Sequence, residues 1–96
     1  MYKLVPTKYF IKQLEELGYD ARRILEEKLG LVKINPFRFK RIKGYSLFLF
    51  RIRFSDQRKE KRLIFMIDNA EVILVCILDR KKEYLDLKKY LEGLNY

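Results

Sequence analysis

Arginines at strand spacing are the residues of this chain best suited to chemistry. Arg51 and Arg53 stand two residues apart in an alternating segment, so both point to one face of a predicted strand. Arg62 begins the next predicted strand and Arg80 ends the third, so an antiparallel meander gathers all four cations. Guanidinium groups bind phosphate oxygens in pairs and stabilise a pentacoordinate phosphorane. Each arginine alone is more typical of a solvated side chain, but the pair on one strand face favours a phosphate site.

Composition points the same way and excludes several kinds of chemistry. The chain has 22 lysine and arginine residues against 13 acidic residues, a net charge of +9. Such a charge either attracts polyanions such as nucleic acid or only makes the surface soluble. Histidine is absent and Cys76 is the single cysteine, so histidine triads and the usual zinc ligands are excluded. We therefore expect no metal and no cofactor, with Cys76 as a buried filler in a reducing compartment.

Length and hydropathy predict one soluble domain spanning residues 1 to 96. The longest unbroken apolar run, 72 to 78, is too short to cross a bilayer. The first six residues lack the apolar core of a signal peptide. We therefore expect a cytoplasmic protein with no membrane partner.

Two helices precede the arginine strands. Residues 7 to 17 place four apolar side chains at helical spacing, with Thr7 as the N-cap and Gly18 as the end of the turn. A second apolar stripe predicts a helix that begins at an Asp20 cap and ends at Asn35-Pro36. The two helices form a hairpin.

Three strands and a last helix follow. Strands are predicted at 46 to 54, 63 to 68 and 72 to 78, and the last is apolar on both faces and therefore central. Residues 2 to 5 add a short edge strand. Asp79 can cap a final helix whose apolar positions are Tyr84, Leu87, Leu91 and Leu94. The prediction is an α+β fold of order β-α-α-β-β-β-α, an antiparallel meander with an N-terminal helical hairpin and a C-terminal helix.

A basic stretch with interleaved aromatics, residues 37 to 44, connects the helices to the strands. One interpretation is that it contacts RNA through Arg38, Lys40, Arg41 and Lys43. The other is a solvated basic connection whose two phenylalanines pack inward. The sequence leaves both open.

Five short motifs, in order and spacing, resemble the RelE/ParE superfamily of toxins from toxin–antitoxin systems over nearly the whole chain. Asn35-Pro36 and Ile42-Lys43-Gly44 are similar to the family's "NP" and "LKG" marks. Arg51-Ile52-Arg53 resembles its "RxR" strand, and the segment from Arg62 to Asp68 resembles "RVIYxID". Residues 77 to 84 resemble the closing "IGHRxxxY". Each motif is weak alone, but together they are fairly specific.

For RelE-type members the resemblance implies a RelE-like fold and a ribosome-dependent endoribonuclease that cleaves mRNA through attack by the neighbouring 2′-hydroxyl. The matching catalytic positions are Arg51, Arg53, Arg62, Arg80 and Tyr84. The arginines would neutralise phosphate and leaving group, and Tyr84 would stack on or orient a base. Further RNA contacts are predicted at Arg58, Lys81 and Lys82. No general base is evident, because arginine is too weak a base and lysine or tyrosine would need a large pKa shift.

The implied partners are the ribosome, mRNA and an acidic RelB-like antitoxin that covers or displaces the final helix through Leu87, Leu91 and Leu94. Two alternatives remain open. One is a ParE-type inhibitor of DNA gyrase on the same fold, and the other is a basic RNA-binding module without catalysis. The apparent presence of the basic and tyrosine positions favours RNA cleavage.

Two departures from the family pattern affect the site. The hairpin from Ser55 to Arg62 is several residues longer than the family's, so Arg58 competes with Arg62 for the functional position. We favour Arg62, because the strand then follows in register. Asp79 replaces the histidine of "GHR" and is expected to offset part of the charge of Arg80.

Overall fold

The helical hairpin, the meander and the last helix all form in the computed structural model, which describes residues 1–80 and 86–94. The elements are β1 (Lys3–Pro6), α1 (Lys8–Glu15), α2 (Tyr19–Ile34), a 3₁₀ turn (Pro36–Arg38), β2 (Lys40–Ile42), β3 (Leu49–Asp56), β4 (Lys59–Asp68), β5 (Glu71–Asp79) and α3 (Leu87–Glu92).

These strands form one five-stranded sheet of order β1-β5-β4-β3-β2. The pairs β2–β3, β3–β4 and β4–β5 are antiparallel, which confirms the predicted α+β meander. The sheet is mixed, because β1 pairs in parallel with the outer edge of β5. The short strand β2 was not predicted, since its three residues carry too little alternation to show in the sequence.

Apolar side chains cover both faces of the sheet and make two cores. The first core joins α1 and α2 to one face, with Leu25 and Phe65 fully buried. The second lies on the opposite face, where Leu87 of α3 belongs to the same buried cluster as Ile64 and Cys76. All residues from 72 to 78 in β5 are buried, as the run of apolar residues on both faces predicted.

The helix starts differ in how they are capped. Thr7 caps α1 as predicted, since its Oγ1 accepts the Phe10 N–H at 3.1 Å. The predicted Asp20 cap is wrong: Gly18 is the N-cap of α2, and Asp20 lies in the first turn. The physical reason is a tertiary contact, because the Gly18 N–H donates to Asp56 Oδ1 of β3 at 3.2 Å. Asp20 still suits its position, where a carboxylate interacts favourably with the helix dipole.

Strand boundaries near the arginines also differ from the prediction. The strand expected at 46 to 54 is Leu49–Asp56, and the strand expected from residue 63 begins at Lys59. The hairpin is therefore not a longer loop. Both strands extend outward, and the two residues between them, Gln57 and Arg58, have φ values of 50° and 69°. Positive φ at both positions is the geometry of a tight type I′ turn.

Because neither Gln57 nor Arg58 favours left-handed backbone, the turn stores strain that a better turn sequence would release. We expect Gln57→Asn with Arg58→Gly to raise the free energy of unfolding by about 1 kcal/mol. Urea denaturation measures this change. Lys59→Gly, one residue into β4, is the control and should lower stability. No gain from the double variant would contradict the turn geometry.

Side chains of α1 hold α3 beside β5. Beyond the end of β1, the Gln13 amide replaces a strand partner: Nε2 donates to the Ile77 carbonyl at 2.8 Å, and Oε1 accepts the Ile77 N–H at 2.6 Å. Gln13 Nε2 also lies 3.3 Å from the Tyr90 hydroxyl of α3, and Tyr9 packs edge-on against the Tyr90 ring. Burial is the main cause that raises the pKa of Tyr90, and the hydrogen bond that its oxygen accepts from Gln13 acts in the opposite direction.

The final helix was predicted from about residue 81 to 94. Its described part is α3, and residues 81 to 85 lie outside the described residues. Leu87 is fully buried, and Leu91 and Leu94 pack against the same core. Among the described helices, none is both long and apolar enough to cross a membrane.

Candidate functional site

Strand register places three arginines on one face of the sheet, with a fourth at the end of β5. Arg53 of β3 pairs directly with Arg62 of β4, and Arg62 pairs with Leu78 of β5. Arg51 lies two residues before Arg53, and Arg80 lies two residues after Leu78. Side chains alternate along a strand, so Arg51 points toward the same face as the Arg53–Arg62 pair. Arg80 directly follows the end of β5 and lines one cavity together with Arg53 and Arg62. The face that carries Arg53 and Arg62 is also the face on which α3 packs.

These arginines line two neighbouring depressions. The first, which we call the arginine cavity, has a volume of about 200 Å³. Its lining residues are Arg53, Phe54, Ser55, Glu60, Lys61, Arg62 and Arg80. The second has a volume of about 450 Å³ and is lined by Lys28, Phe39, Lys40, Arg51, Ile52 and Arg53. Arg53 belongs to both, so the two depressions form one continuous basic surface.

The arginine cavity is lined by more basic than acidic side chains. Arg53 and Arg62 occupy directly opposite positions on β3 and β4. Arg62 is only 8% exposed and has an interaction partner within the protein. The guanidinium of Arg80 forms an ion pair with Glu60. The site therefore concentrates positive potential where a phosphate group would be stabilised.

The ion-pair partner of Asp79 is Lys61, so the expected offset of the Arg80 charge by Asp79 does not take the form of a direct pair. Asp79 Oδ1 accepts a hydrogen bond from Lys61 Nζ at 3.0 Å. Lys61 and Asp79 occupy opposite positions on β4 and β5, next to the pair formed by Arg62 and Leu78. Arg80 forms its ion pair with Glu60, which lies two residues before Arg62 on β4.

Arg58 and Arg62 occupy different environments. Arg58 lies at the exposed tip of the β3–β4 turn, whereas Arg62 lines the arginine cavity opposite Arg53. The geometry therefore places Arg62, and not Arg58, beside the other arginines. Its functional role stays a prediction.

The remaining predicted RNA contacts lie around β2. Lys40 pairs with Arg51 and lines the second depression. Arg38, Arg41 and Lys43 are exposed and lie outside both depressions. The Arg38 guanidinium lies 5.8 Å from the centroid of the Phe39 ring, and that of Arg41 lies 4.5 Å from the centroid of Phe48.

The two phenylalanines of the basic stretch behave differently from each other. Phe39 packs edge-on against Phe65 in the first core, whereas Phe37 is 55% exposed beside Tyr2 and Phe50. The inward-packing interpretation therefore holds for Phe39 and only in part for Phe37. Three predicted positions, Lys81, Lys82 and Tyr84, lie outside the described residues.

Two residues of the site were missed from the sequence. Glu60 was missed because residues 55 to 62 were interpreted as a loop, yet the alternation of Glu60, Arg62 and Ile64 along one face was the signal. Lys28 comes from α2, and no local pattern links a helix residue to a strand so far along the chain.

The described residues offer little for metal or thiol chemistry. Across residues 1–80 and 86–94, no group of three or more histidine, cysteine, aspartate and glutamate side chains is placed to hold a metal. Burial, with a smaller contribution from Asp86, raises the pKa of the Cys76 thiol to about 12. The thiol therefore stays protonated at neutral pH, in keeping with its interpretation as a buried filler.

Comparison with known proteins finds similarity in structure only. No protein-family profile and no curated protein sequence matches this chain. The free-state structure of a double-arginine mutant of E. coli toxin RelE superposes with a TM-score of 0.76 at 18% identity, covering 96% of each chain. The isolated E. coli RelE toxin gives 0.70 at 21% identity, covering 95% of this chain and 99% of that one.

The third structure is the intact E. coli RelBE toxin–antitoxin complex, with a TM-score of 0.69 at 21% identity over 81% of this chain and 95% of that one. The match with the free mutant spans nearly the full length of both chains, so it includes the sheet and the helices on both of its faces. The chain therefore has the fold of the RelE toxins.

Proposed function

We propose that this protein is the toxin of a type II toxin–antitoxin system and that it acts as a ribosome-dependent endoribonuclease on mRNA. One observation carries the proposal: Arg53, Arg62 and Arg80 line a single cavity on a RelE fold. Arg51 extends the same basic surface into the neighbouring depression. A phosphodiester fits such a surface, because guanidinium groups bind its oxygens and stabilise charge that develops during cleavage.

In this mechanism the 2′-hydroxyl of the nucleotide attacks the adjacent phosphate. Arg53 and Arg62, opposite each other on two strands, would contact the phosphate oxygens, and Arg80 would add to the stabilisation of the negative charge that develops during cleavage. Tyr84 would orient a base. The ribosome would hold the mRNA in the geometry for in-line attack, because positioning of the reactants supplies a large part of the barrier reduction.

The proposed partners are the ribosome with its mRNA and an acidic RelB-like antitoxin, in the cytoplasm. The RelBE structure among the similar folds is a toxin–antitoxin complex. On this chain the net charge of +9 and the exposed Lys88 and Lys89 of α3 would attract an acidic protein. Leu87, Leu91 and Leu94 provide the apolar contacts that such a partner would cover or compete for.

Expression of the protein without its partner is expected to arrest growth and to produce cuts in translated mRNA. Mapping of RNA 5′ ends in vivo, together with purified protein on naked and ribosome-bound mRNA, measures this activity. Cuts should require the ribosome. Gyrase-dependent DNA damage with intact mRNA would instead assign the ParE-type function. Salt-sensitive RNA binding without any growth effect would leave a basic RNA-binding module.

A further inference from the structure

Glu60 supplies a carboxylate to the arginine cavity. Among the described residues that line this cavity, it is the one acidic side chain. Glu60 pairs with Ser55 across the β3–β4 ladder and lies two residues before Arg62, on the same face. Its side chain is 58% exposed and ion-paired with Arg80, so a bound nucleotide can reach it.

The proposed cleavage needs a group that removes the proton of the attacking 2′-hydroxyl. The arginines of the cavity cannot do so, because the guanidinium stays protonated in proteins. Lys61 donates to Asp79, and the Cys76 thiol is buried and protonated. Among the cavity's described lining residues, Glu60 has the one carboxylate, a group that serves as a general base in many enzymes.

We propose that Glu60 is the general base of the reaction, an inference that rests on the proposed function. The Glu60 carboxylate takes the proton of the 2′-hydroxyl as the bond between the 2′-oxygen and phosphorus forms. The bond between phosphorus and the 5′-oxygen breaks, and water protonates the departing oxygen. The products are a 2′,3′-cyclic phosphate and a 5′-hydroxyl.

The ion pair with Arg80 gives the carboxylate a fixed direction. Glu60 is held against Arg80 and lies on the same face of β4 as Arg62. Arg62 in turn lies opposite Arg53, and all four residues line the cavity. A phosphate bound by Arg53 and Arg62 would therefore bring its neighbouring ribose next to the carboxylate. The competing explanation is that Glu60 only positions Arg80 and takes no proton.

Single-turnover cleavage by purified protein on ribosomes programmed with a defined mRNA tests the inference. Glu60→Gln should lower the cleavage rate by about 10²-fold or more, because general-base catalysis commonly contributes that much. Binding to the ribosome should stay within about twofold of wild type, because glutamine keeps the size of the side chain. Formate, but not chloride at equal ionic strength, should restore part of the rate of Glu60→Ala. Glu71→Gln, an exposed glutamate at the start of β5, is the matched control and should cleave at the wild-type rate.

Three results would overturn the inference. A Glu60→Gln variant that cleaves like wild type would exclude a general base. If Glu60→Gln, Arg80→Ala and the variant with both changes lose the same cleavage rate, and formate restores none of it, Glu60 only positions Arg80. A wild-type protein that does not cleave ribosome-bound mRNA would remove the proposed function together with this role. Thermal melting of each variant checks that it is folded.

Discussion

Replacing Arg62 with alanine is expected to lower the rate of mRNA cleavage by about 10²-fold or more, the usual cost of removing one donor that stabilises a developing negative charge. Arg62 faces Arg53, is nearly buried and lines the arginine cavity. A guanidinium in such a site acts in a low dielectric, where its interaction with phosphate is stronger than in water. In cells, the same change should relieve growth arrest.

Three comparisons separate the effect on chemistry from an effect on folding. Arg62→Lys keeps the charge but loses the fork that binds two oxygens, so its rate should lie between those of wild type and Arg62→Ala. Arg58→Ala, at the exposed turn tip, should cleave nearly as wild type does. Urea denaturation of each variant measures the free energy of unfolding. A large loss of cleavage rate for Arg58→Ala, with none for Arg62→Ala, would assign the functional position to Arg58. A failure of Arg62→Ala to fold would instead give Arg62 a structural role.

The sequence was sufficient for the parts of the fold that short periodic patterns determine. The apolar run of β5 predicted a strand buried on both faces, and the apolar stripe of α2 with its stop at Asn35-Pro36 predicted that helix to its end. Contacts between distant residues were not predictable in this way. Asp56 binds the start of α2 from a strand 38 residues away, at Gly18, which is the N-cap in place of the predicted Asp20.

The candidate site was likewise predictable from the sequence only in part. That Arg51 and Arg53 share a face follows from strand alternation alone. That Arg53 faces Arg62 depends on register, which the length of the turn sets. Gln57 and Arg58 carry none of the usual signals of a two-residue turn, so the hairpin appeared as a longer loop. For the same reason Glu60 was not predicted as part of the site. It lies on the same face as the arginines because β4 begins at Lys59.

Leu87→Ala is expected to destabilise the packing of α3 by about 2–5 kcal/mol, the usual cost of truncating a fully buried leucine. Leu87 is the most buried apolar side chain of α3 and packs in the second core, whereas Lys88 beside it is exposed. Hydrogen exchange of α3 amides should therefore increase in Leu87→Ala and stay unchanged in Lys88→Ala. Equal exchange in wild type and Leu87→Ala would show that Leu87 does not hold the helix.

The same variant decides whether the proposed antitoxin covers α3 or displaces it. If α3 must leave the sheet for binding, releasing it costs free energy in wild type, and Leu87→Ala removes part of that cost. Affinity for the proposed acidic antitoxin should then rise by about tenfold for each 1.4 kcal/mol removed. If the antitoxin instead binds over the docked helix, the variant presents a poorer surface, and affinity should fall. Isothermal titration calorimetry measures whether the affinity rises or falls. We expect the rise, because Leu87, the most buried apolar side chain of α3, packs in the second core and is accessible to a partner only when the helix leaves the sheet.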